Sequence, residues 1–280
     1  MKKGIIRRVV PAALSGVMLF SASFSGWSTD VNVFSSPSVV YAASEKISDF
    51  SISDVKMTDQ YVTNAFSLEL KYLLSFDNNR LLAGFRENAG MNTFGAKRYG
   101  GWENTLIGGH SVGHYLTALS QAYQNPNISA EERDALMNKM KVLVDGMKEC
   151  QKNSKGQPGF VWAATKGNQQ SVEFQFDNSE NRKTNIIQEA WVPWYTMHKL
   201  IAGLVDVYKN TGYEPAKEVA SGLGDWTYNR CSKWSSQTHA TVLSVEYGGM
   251  NDCLYDLYSV TQNQKYADAA HFFDETALFD

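Results

Sequence analysis

Apolar residues recur at helical spacing along most of the chain after about residue 58, which predicts an all-α protein. Ser129 and Glu132 form a capping box before one of the helical segments, and Thr58 or Asp59 can cap the first. Seven segments share the helical spacing: 60–76, 106–123, 129–151, 189–209, 214–230, 250–260 and 265–278.

One long stretch, 152–185, lacks the helical spacing. It is rich in Gly, Asn, Gln and Ser, a composition typical of loops. A short β-hairpin with strands at 160–162 and 172–176 is a candidate element within this loop.

Three of the predicted helices repeat one pattern: 114–123, 199–208 and 251–258 each end in Tyr, before a short polar turn and a second helix. Repeated helical hairpins build either an open solenoid or a closed double ring. The long loops before the first helix of each hairpin favour the ring, an (α/α)6 barrel. Such a ring needs twelve helices, whereas seven or eight are predicted. We therefore expect a C-terminally truncated barrel over 58–280; a complete smaller helical domain is the alternative.

The N-terminus predicts export. Residues 1–8 carry four basic side chains, an apolar stretch follows, and Ala42 and Ala43 supply small residues at a cleavage position. We expect a signal peptide over 1–43, an extended lead-in over 44–57 and a secreted product. The alternative is a membrane anchor, but no uninterrupted apolar run approaches the ~20 residues that a spanning helix needs.

Composition limits the classes of ligand that the protein can bind. The net charge is −3, and no basic stripe follows the leader, which argues against nucleic acid. Seven Trp and fourteen Tyr suit uncharged ligands such as sugars, and equally a large core. Cys150, Cys231 and Cys253 are far apart and form no metal-binding motif, so buried free thiols are expected, with one pairing left open.

The sharpest motif is Gly109-His110-Ser111-Val112-Gly113-His114, whose two histidines share a helix face. They can bind sugar hydroxyls, lie in the core with their hydrogen bonds made to other protein groups, or hold a metal. Ser111 stands where a zinc protease needs its Glu, which argues against that enzyme class.

Two aromatic clusters accompany this motif. Trp102 and Glu103 follow a double glycine, where Trp102 can stack on a sugar or cover the core. Trp191, Trp194, Tyr195, His198 and Lys199 gather around Pro193, at the start of a predicted helix. They indicate a ligand site, with core burial of the two Trp as the alternative.

Glu246 precedes a further double glycine, in Glu-Tyr-Gly-Gly-Met-Asn. Its carboxylate can orient a sugar, ligate a metal, move protons or cap the helix that follows. Glycoside hydrolysis usually needs two carboxylates, and Glu103 and Glu246 are one pair that a ring of helices could bring together.

Four segments in this order, YGGWE, GGHSVGHYLTALSQAY, WVPWYTMHKLIAGLVDVY and EYGGMNDCLYDLY, resemble the β-L-arabinofuranosidase-like glycoside hydrolases of families 127 and 146, a former domain of unknown function. The resemblance covers roughly residues 55–280. It implies an (α/α)6 barrel, retaining hydrolysis of terminal β-L-arabinofuranosides in plant-type glycans, and a sugar pocket lined by its matched residues. These substrate-binding candidates are Trp102, His110, His114, Trp194, Tyr195, His198 and Glu246.

The resemblance also implies a zinc-bound cysteine nucleophile, with ligands in an E-x-C segment and an adjacent cysteine pair. Neither motif occurs here, so the nucleophile is expected beyond Asp280. We expect zinc in the complete domain, none bound by this chain, and no activity of the chain alone. The rivals are a polysaccharide lyase, an unsaturated-uronide hydrolase, or a non-catalytic carbohydrate-binding module.

Overall fold

The computed structural model describes residues 50–183 and 189–276, which contain ten α-helices and no β-strand. The predicted signal peptide, 1–43, lies outside the described residues. The described part of the predicted lead-in includes a short 3-10 helix, Ile52–Asp54. The α-helices are α1 Gln60–Ser75, α2 Asn78–Ala89, α3 His110–Gln124, α4 Ala130–Lys152, α5 Phe174–Glu180, α6 Pro193–Thr211, α7 Glu214–Cys231, α8 Ser236–Leu243, α9 Gly249–Thr261 and α10 Gln264–His271.

The helices form two layers. In the inner layer α3 packs on α6 and α6 on α9; in the outer layer α4 packs on α7 and α7 on α10. The hairpins α3–α4, α6–α7 and α9–α10 correspond to the three predicted repeats. The prediction of an all-α fold of the incomplete (α/α)-barrel type is confirmed. In the described residues, no helix combines the length and apolar character needed to cross a membrane.

The tightest packing joins α3 to α6. A Cβ atom placed on Gly113 would lie 2.8 Å from the backbone N of Leu200 and closer still to the Lys199 carbonyl. A Cβ on Gly203 would meet the backbone of Gly113 in the same way. The absence of side chains at both positions lets the two helix backbones touch, and this contact sets the relative position of the side chains at their N-terminal ends.

The predicted β-hairpin is wrong in the described residues. The segment assigned to its second strand begins helix α5. Glu173, Asp177 and Glu180 fall on one side of this helical turn, and all three pair with Arg230 of α7. In a strand Glu180 would face away from Glu173 and Asp177, because it lies an odd number of residues from both, so this three-carboxylate contact with α7 favours the helix.

Helices α2 and α8 were not predicted, although both carry local signals. The Asp77 side chain accepts hydrogen bonds from backbone N–H groups at the start of α2, Gly90 ends α2 in the left-handed conformation (φ 70°), and Ser235 caps α8. Predicted boundaries also differ: α3 begins at His110 rather than 106, α6 at Pro193 rather than 189, and α10 ends at His271 rather than 278.

Candidate active site

A cleft of about 580 Å³ opens at the N-terminal ends of the inner helices α3, α6 and α9. Its volume lies within the range of small-molecule sites, roughly 300–1,000 Å³. The four segments singled out in the sequence all contribute to its wall. The lining residues are Trp102, Ile107, His110, Trp191, Val192, Trp194, Tyr195, His198, Lys199, Val245, Glu246, Tyr247, Gly249 and Met250.

The double glycine before α9 positions one side of the cleft. Gly248 has a φ of 85°, a conformation that side chains with a Cβ rarely adopt. Gly249 lies against the His198 imidazole, where a Cβ would stand 2.9 Å from Cγ and closer to Nδ1. One glycine therefore allows the turn, and the other lets α9 start directly against a histidine of α6.

Glu103 caps α3 from outside the helix. Its carboxylate accepts hydrogen bonds from the backbone N–H of Gly109 (2.9 Å) and of Ser111 (3.1 Å). His110 Nδ1 lies 3.2 Å from Glu103 Oε1 and 2.8 Å from the carbonyl oxygen of Ile107. Burial raises the pKa of Glu103, but these hydrogen bonds outweigh it and leave that pKa below its ordinary value.

Three histidines in or beside the cleft are held in different electrostatic environments: His110 and His198 line it, whereas the predicted site residue His114 is exposed beside it on α3. Burial lowers the pKa of His110, yet the hydrogen bonds to Glu103 and Ile107 outweigh it and raise that pKa overall. Burial, Lys199 and His110 lower the pKa of His114, and burial, Lys199 and His114 lower that of His198 to about 4. The surroundings thus favour protonation of His110 and disfavour protonation of His114 and His198.

His114 and Tyr195 connect α3 to α6 at the cleft edge. Their side chains meet through His114 Nε2 and Tyr195 Oη, 3.2 Å apart. The Lys199 ammonium lies over the Tyr195 ring, 5.2 Å from its centroid. The phenol and the imidazole offer uncharged hydrogen-bonding groups at positions suited to hydroxyl ligands.

Glu246 is a buried carboxyl group at the N-terminus of α6. Its Oε2 accepts the Tyr195 backbone N–H at 3.0 Å. Burial raises its pKa, and the hydrogen bonds from the backbone N–H groups of Tyr195 and Trp194 lower it. Burial is the larger effect, and the pKa is about 8. The sequence suggested that Glu246 could cap the following helix, α9; it caps α6 instead.

The two tryptophans expected to bind sugar differ in position. Trp102 is 64% exposed at the rim, its ring centroid 6.0 Å from that of His110. Trp194 touches the cleft wall but is 1% exposed, with aromatic neighbours that include Phe176, Trp234 and Phe273. Trp194 therefore belongs to the buried aromatic core and also lines the cleft.

Glu103 and Glu246, the carboxylate pair that the sequence suggested, are held by similar contacts at two different helices. Each accepts backbone N–H groups at the start of a different inner helix. Sequence reasoning missed Ile107 and Val245, which line the cleft. Both are ordinary apolar residues beside a motif, and their position depends on the turns that precede α3 and α9.

The cysteines lie away from this chemistry. Cys150, Cys231 and Cys253 are buried and unpaired, as expected for free thiols, and burial raises the pKa of each. Over the described ranges, no group of three or more His, Cys, Asp or Glu side chains is arranged to hold a metal ion. The described residues therefore do not fit a zinc–thiolate centre.

Comparison with known proteins places this geometry in a family. The family described as Beta-L-arabinofuranosidase, GH127 catalytic domain, matches residues 54–280. No curated protein matches the chain. Among solved structures, it is similar to Ara127N-Se, a GH127 β-L-arabinofuranosidase from Geobacillus stearothermophilus T6, with 14% identity and a TM-score of 0.48. That alignment covers 78% of this chain and 32% of the other, so the chain spans about a third of that protein's length. Since the family match extends over most of its residues, the chain belongs to the GH127 β-L-arabinofuranosidase catalytic-domain family.

Proposed function

We propose that this chain forms the sugar-binding wall of a retaining glycoside hydrolase that acts on terminal β-L-arabinofuranosides of plant-type glycans. One observation carries the proposal: in a chain of the GH127 family, the cleft gathers two imidazoles, a phenol and a buried carboxyl group at the ends of three inner helices, and a third imidazole, that of His114, contacts the phenol. Groups of this kind bind the hydroxyls of an uncharged sugar. We further propose that the protein is exported.

Each group has a distinct task in this proposal. Glu246, with a pKa of about 8, keeps its proton at neutral pH and can donate a hydrogen bond to a sugar hydroxyl. His198, with a pKa of about 4, is neutral and can donate or accept according to its tautomer. Tyr195 supplies a phenol, and the exposed Trp102 ring can cover an apolar sugar face at the rim.

Bond cleavage is assigned to groups other than these. The family resemblance implies a zinc-bound cysteine thiolate, which would supply the nucleophile when the metal is bound. The cysteines of this chain are buried thiols with raised pKa values, and the described residues contain no metal-binding cluster. We therefore propose that zinc belongs to the complete domain and that this chain alone binds the sugar without hydrolysing it.

Calorimetry with methyl β-L-arabinofuranoside tests binding. We expect saturable binding by the wild-type chain and at least a tenfold loss of affinity in His198→Asn, because the half-buried imidazole is replaced by a shorter amide that cannot place its donor and acceptor at the same points in the cleft. His271→Asn is the matched control, since His271 is exposed on α10 and pairs with Asp274 outside the cleft. Equal affinity in both variants would contradict the assignment of the cleft.

Hydrolysis is tested with an aryl β-L-arabinofuranoside, with bound zinc measured in the same samples. We expect no release of arabinose by the purified chain. Turnover would show that its own residues perform the chemistry and would refute this division of roles.

An acidic sugar is the second candidate ligand. Lys199 lines the cleft and could pair with a uronate carboxylate, as in a lyase or an unsaturated-uronide hydrolase. Its ammonium lies over the Tyr195 ring, and apart from His110 the other polar groups named above are uncharged donors and acceptors or a carboxyl group. Preferential binding of a methyl uronide over the arabinofuranoside would favour this candidate.

A further inference from the structure

Glu103 has a role that its sequence position did not suggest. It belongs to the 3-10 helix Gly101–Asn104 and faces the first turn of α3, whose own N-cap, Gly109, has no side chain to accept a hydrogen bond. The carboxylate replaces that missing cap by accepting the N–H groups of Gly109 and Ser111. With its side chain 13% exposed, Glu103 is enclosed at this position.

The same carboxylate faces an imidazole of the cleft. His110 Nδ1 lies between two acceptors, the Ile107 carbonyl at 2.8 Å and Glu103 Oε1 at 3.2 Å. A nitrogen placed between two acceptors must carry a hydrogen, so Nδ1 is protonated in the neutral ring as well as in the imidazolium. Among the residues that the structure describes, the contact of the other nitrogen, Nε2, is a long one of 3.4 Å with Ser111 Oγ.

The pKa of His110 is therefore shifted in the opposite direction from those of His114 and His198. The hydrogen bonds to Glu103 and Ile107 outweigh burial and raise its pKa, whereas burial and Lys199 lower those of His114 and His198. A carboxylate behind a ligand-binding imidazole is a common way to fix its tautomer and orientation.

We propose that Glu103 is a positioning residue, which holds His110 with its Nδ1 proton toward Glu103 and Ile107 and leaves Nε2 to bind a hydroxyl of the sugar. This inference rests on the proposed function, because the sugar is the ligand that Nε2 would meet. Glu103 itself makes no contact with the substrate in this arrangement; it acts through the orientation and protonation of His110.

The test uses the 280-residue chain and long-range ¹H–¹⁵N NMR of its five histidines, assigned with single His→Asn variants. In the wild type we expect the Nδ1–H tautomer of His110 and titration above the ordinary pKa. In Glu103→Gln the pKa of His110 should fall by about one pH unit, since a neighbouring charge is lost. Affinity for methyl β-L-arabinofuranoside should fall about tenfold, because a charge-assisted donor is weakened.

Glu132→Gln controls for loss of a helix cap. Glu132 occupies the capping box of α4, where its carboxylate accepts the Ser129 backbone N–H at 2.8 Å, and it does not line the cleft. The control should lose a similar amount of stability, with no change in the titration of His110 or in sugar affinity. Effects on His110 that are equal in both variants would reduce Glu103 to an ordinary cap and overturn the proposal.

Two further outcomes separate this inference from the proposed function. An Nε2–H tautomer of His110 in the wild type, or an unchanged pKa in Glu103→Gln, would overturn the role of Glu103 whether or not sugar binds. Failure of the wild type to bind the arabinofuranoside, with the NMR results as expected, would instead count against the proposed sugar.

Discussion

Gly113→Ala probes the contact between α3 and α6 on which the cleft depends. The new Cβ would lie 2.8 Å from the Leu200 backbone N and closer to the Lys199 carbonyl. Ordinary contacts between heavy atoms lie at about 3.5–4.0 Å, so the helices must separate by roughly 1 Å. Backbone atoms of a packed helix cannot move aside as a side chain does. The two helices must therefore shift apart as whole elements.

Two opposing effects determine how much the free energy of unfolding changes. Ala is favoured over Gly within a helix by about 1 kcal/mol, which stabilises the variant. Overpacking a close contact typically costs about 1–3 kcal/mol, and a backbone obstacle belongs at the upper end of that range. We expect net destabilisation of about 1–2 kcal/mol. The same displacement would pull His114 away from Tyr195, so sugar affinity should fall as well.

Urea unfolding followed by tryptophan fluorescence measures the change in stability, and calorimetry with methyl β-L-arabinofuranoside measures the effect on the cleft. Gly222→Ala in α7 is the matched control, because the three atoms nearest its Cβ belong to the side-chain amide of Gln151, 2.6–3.0 Å away, and not to the backbone of a packed helix. We expect a smaller loss of stability there and no change in affinity. If Gly113→Ala proved as stable as the wild type, or gained the full helical preference of Ala, the backbone contact would not constrain the fold as argued.

Three further predictions concern charge. Because the pKa of folded Glu246 is about 8 and its ordinary value is 4.5, the folded state keeps a proton that the unfolded state has released. Its contribution to stability should therefore decline as pH rises through this window, by up to about 1.4 kcal/mol per pH unit, and unfolding curves of Glu246→Gln should lack this slope. His198 has the opposite sign, because its pKa is lowered to about 4 in the folded state. Its contribution to stability is lost as pH falls from 6.5 toward 4, and its NMR signal should titrate near 4. Arg230→Gln leaves the buried Glu173 carboxylate without its cation and should lower the free energy of unfolding in urea by about 3–5 kcal/mol. Lys209→Gln, at an exposed pair, should lower it by less than about 1 kcal/mol. Equal losses would contradict the argument from burial.

Much of the fold could be predicted because its signals are local. Apolar periodicity located seven of the ten α-helices in the described residues, and the Ser129–Glu132 capping box marked the start of α4. The repeated pattern of a helix ending in Tyr and followed by a polar turn identified the hairpins. Helix α5 was missed because the pairing of its carboxylates with Arg230, some 50 residues later, has no signature within the segment itself.

The candidate site, like the fold, could be predicted from the sequence only in part. Residue types and order in the four motifs were sufficient to indicate a sugar-binding wall, since imidazoles, phenols and exposed rings are chemically suited to it. Their individual roles depended on distant partners: Glu246 caps α6 through a residue 51 positions earlier, and Trp194 lies in the core because α5, α7 and later aromatic residues surround it. Spacing along the chain determines which helix face a side chain occupies, whereas burial, hydrogen-bond partners and pKa depend on which other helices pack against that face. Only the tertiary structure decides those.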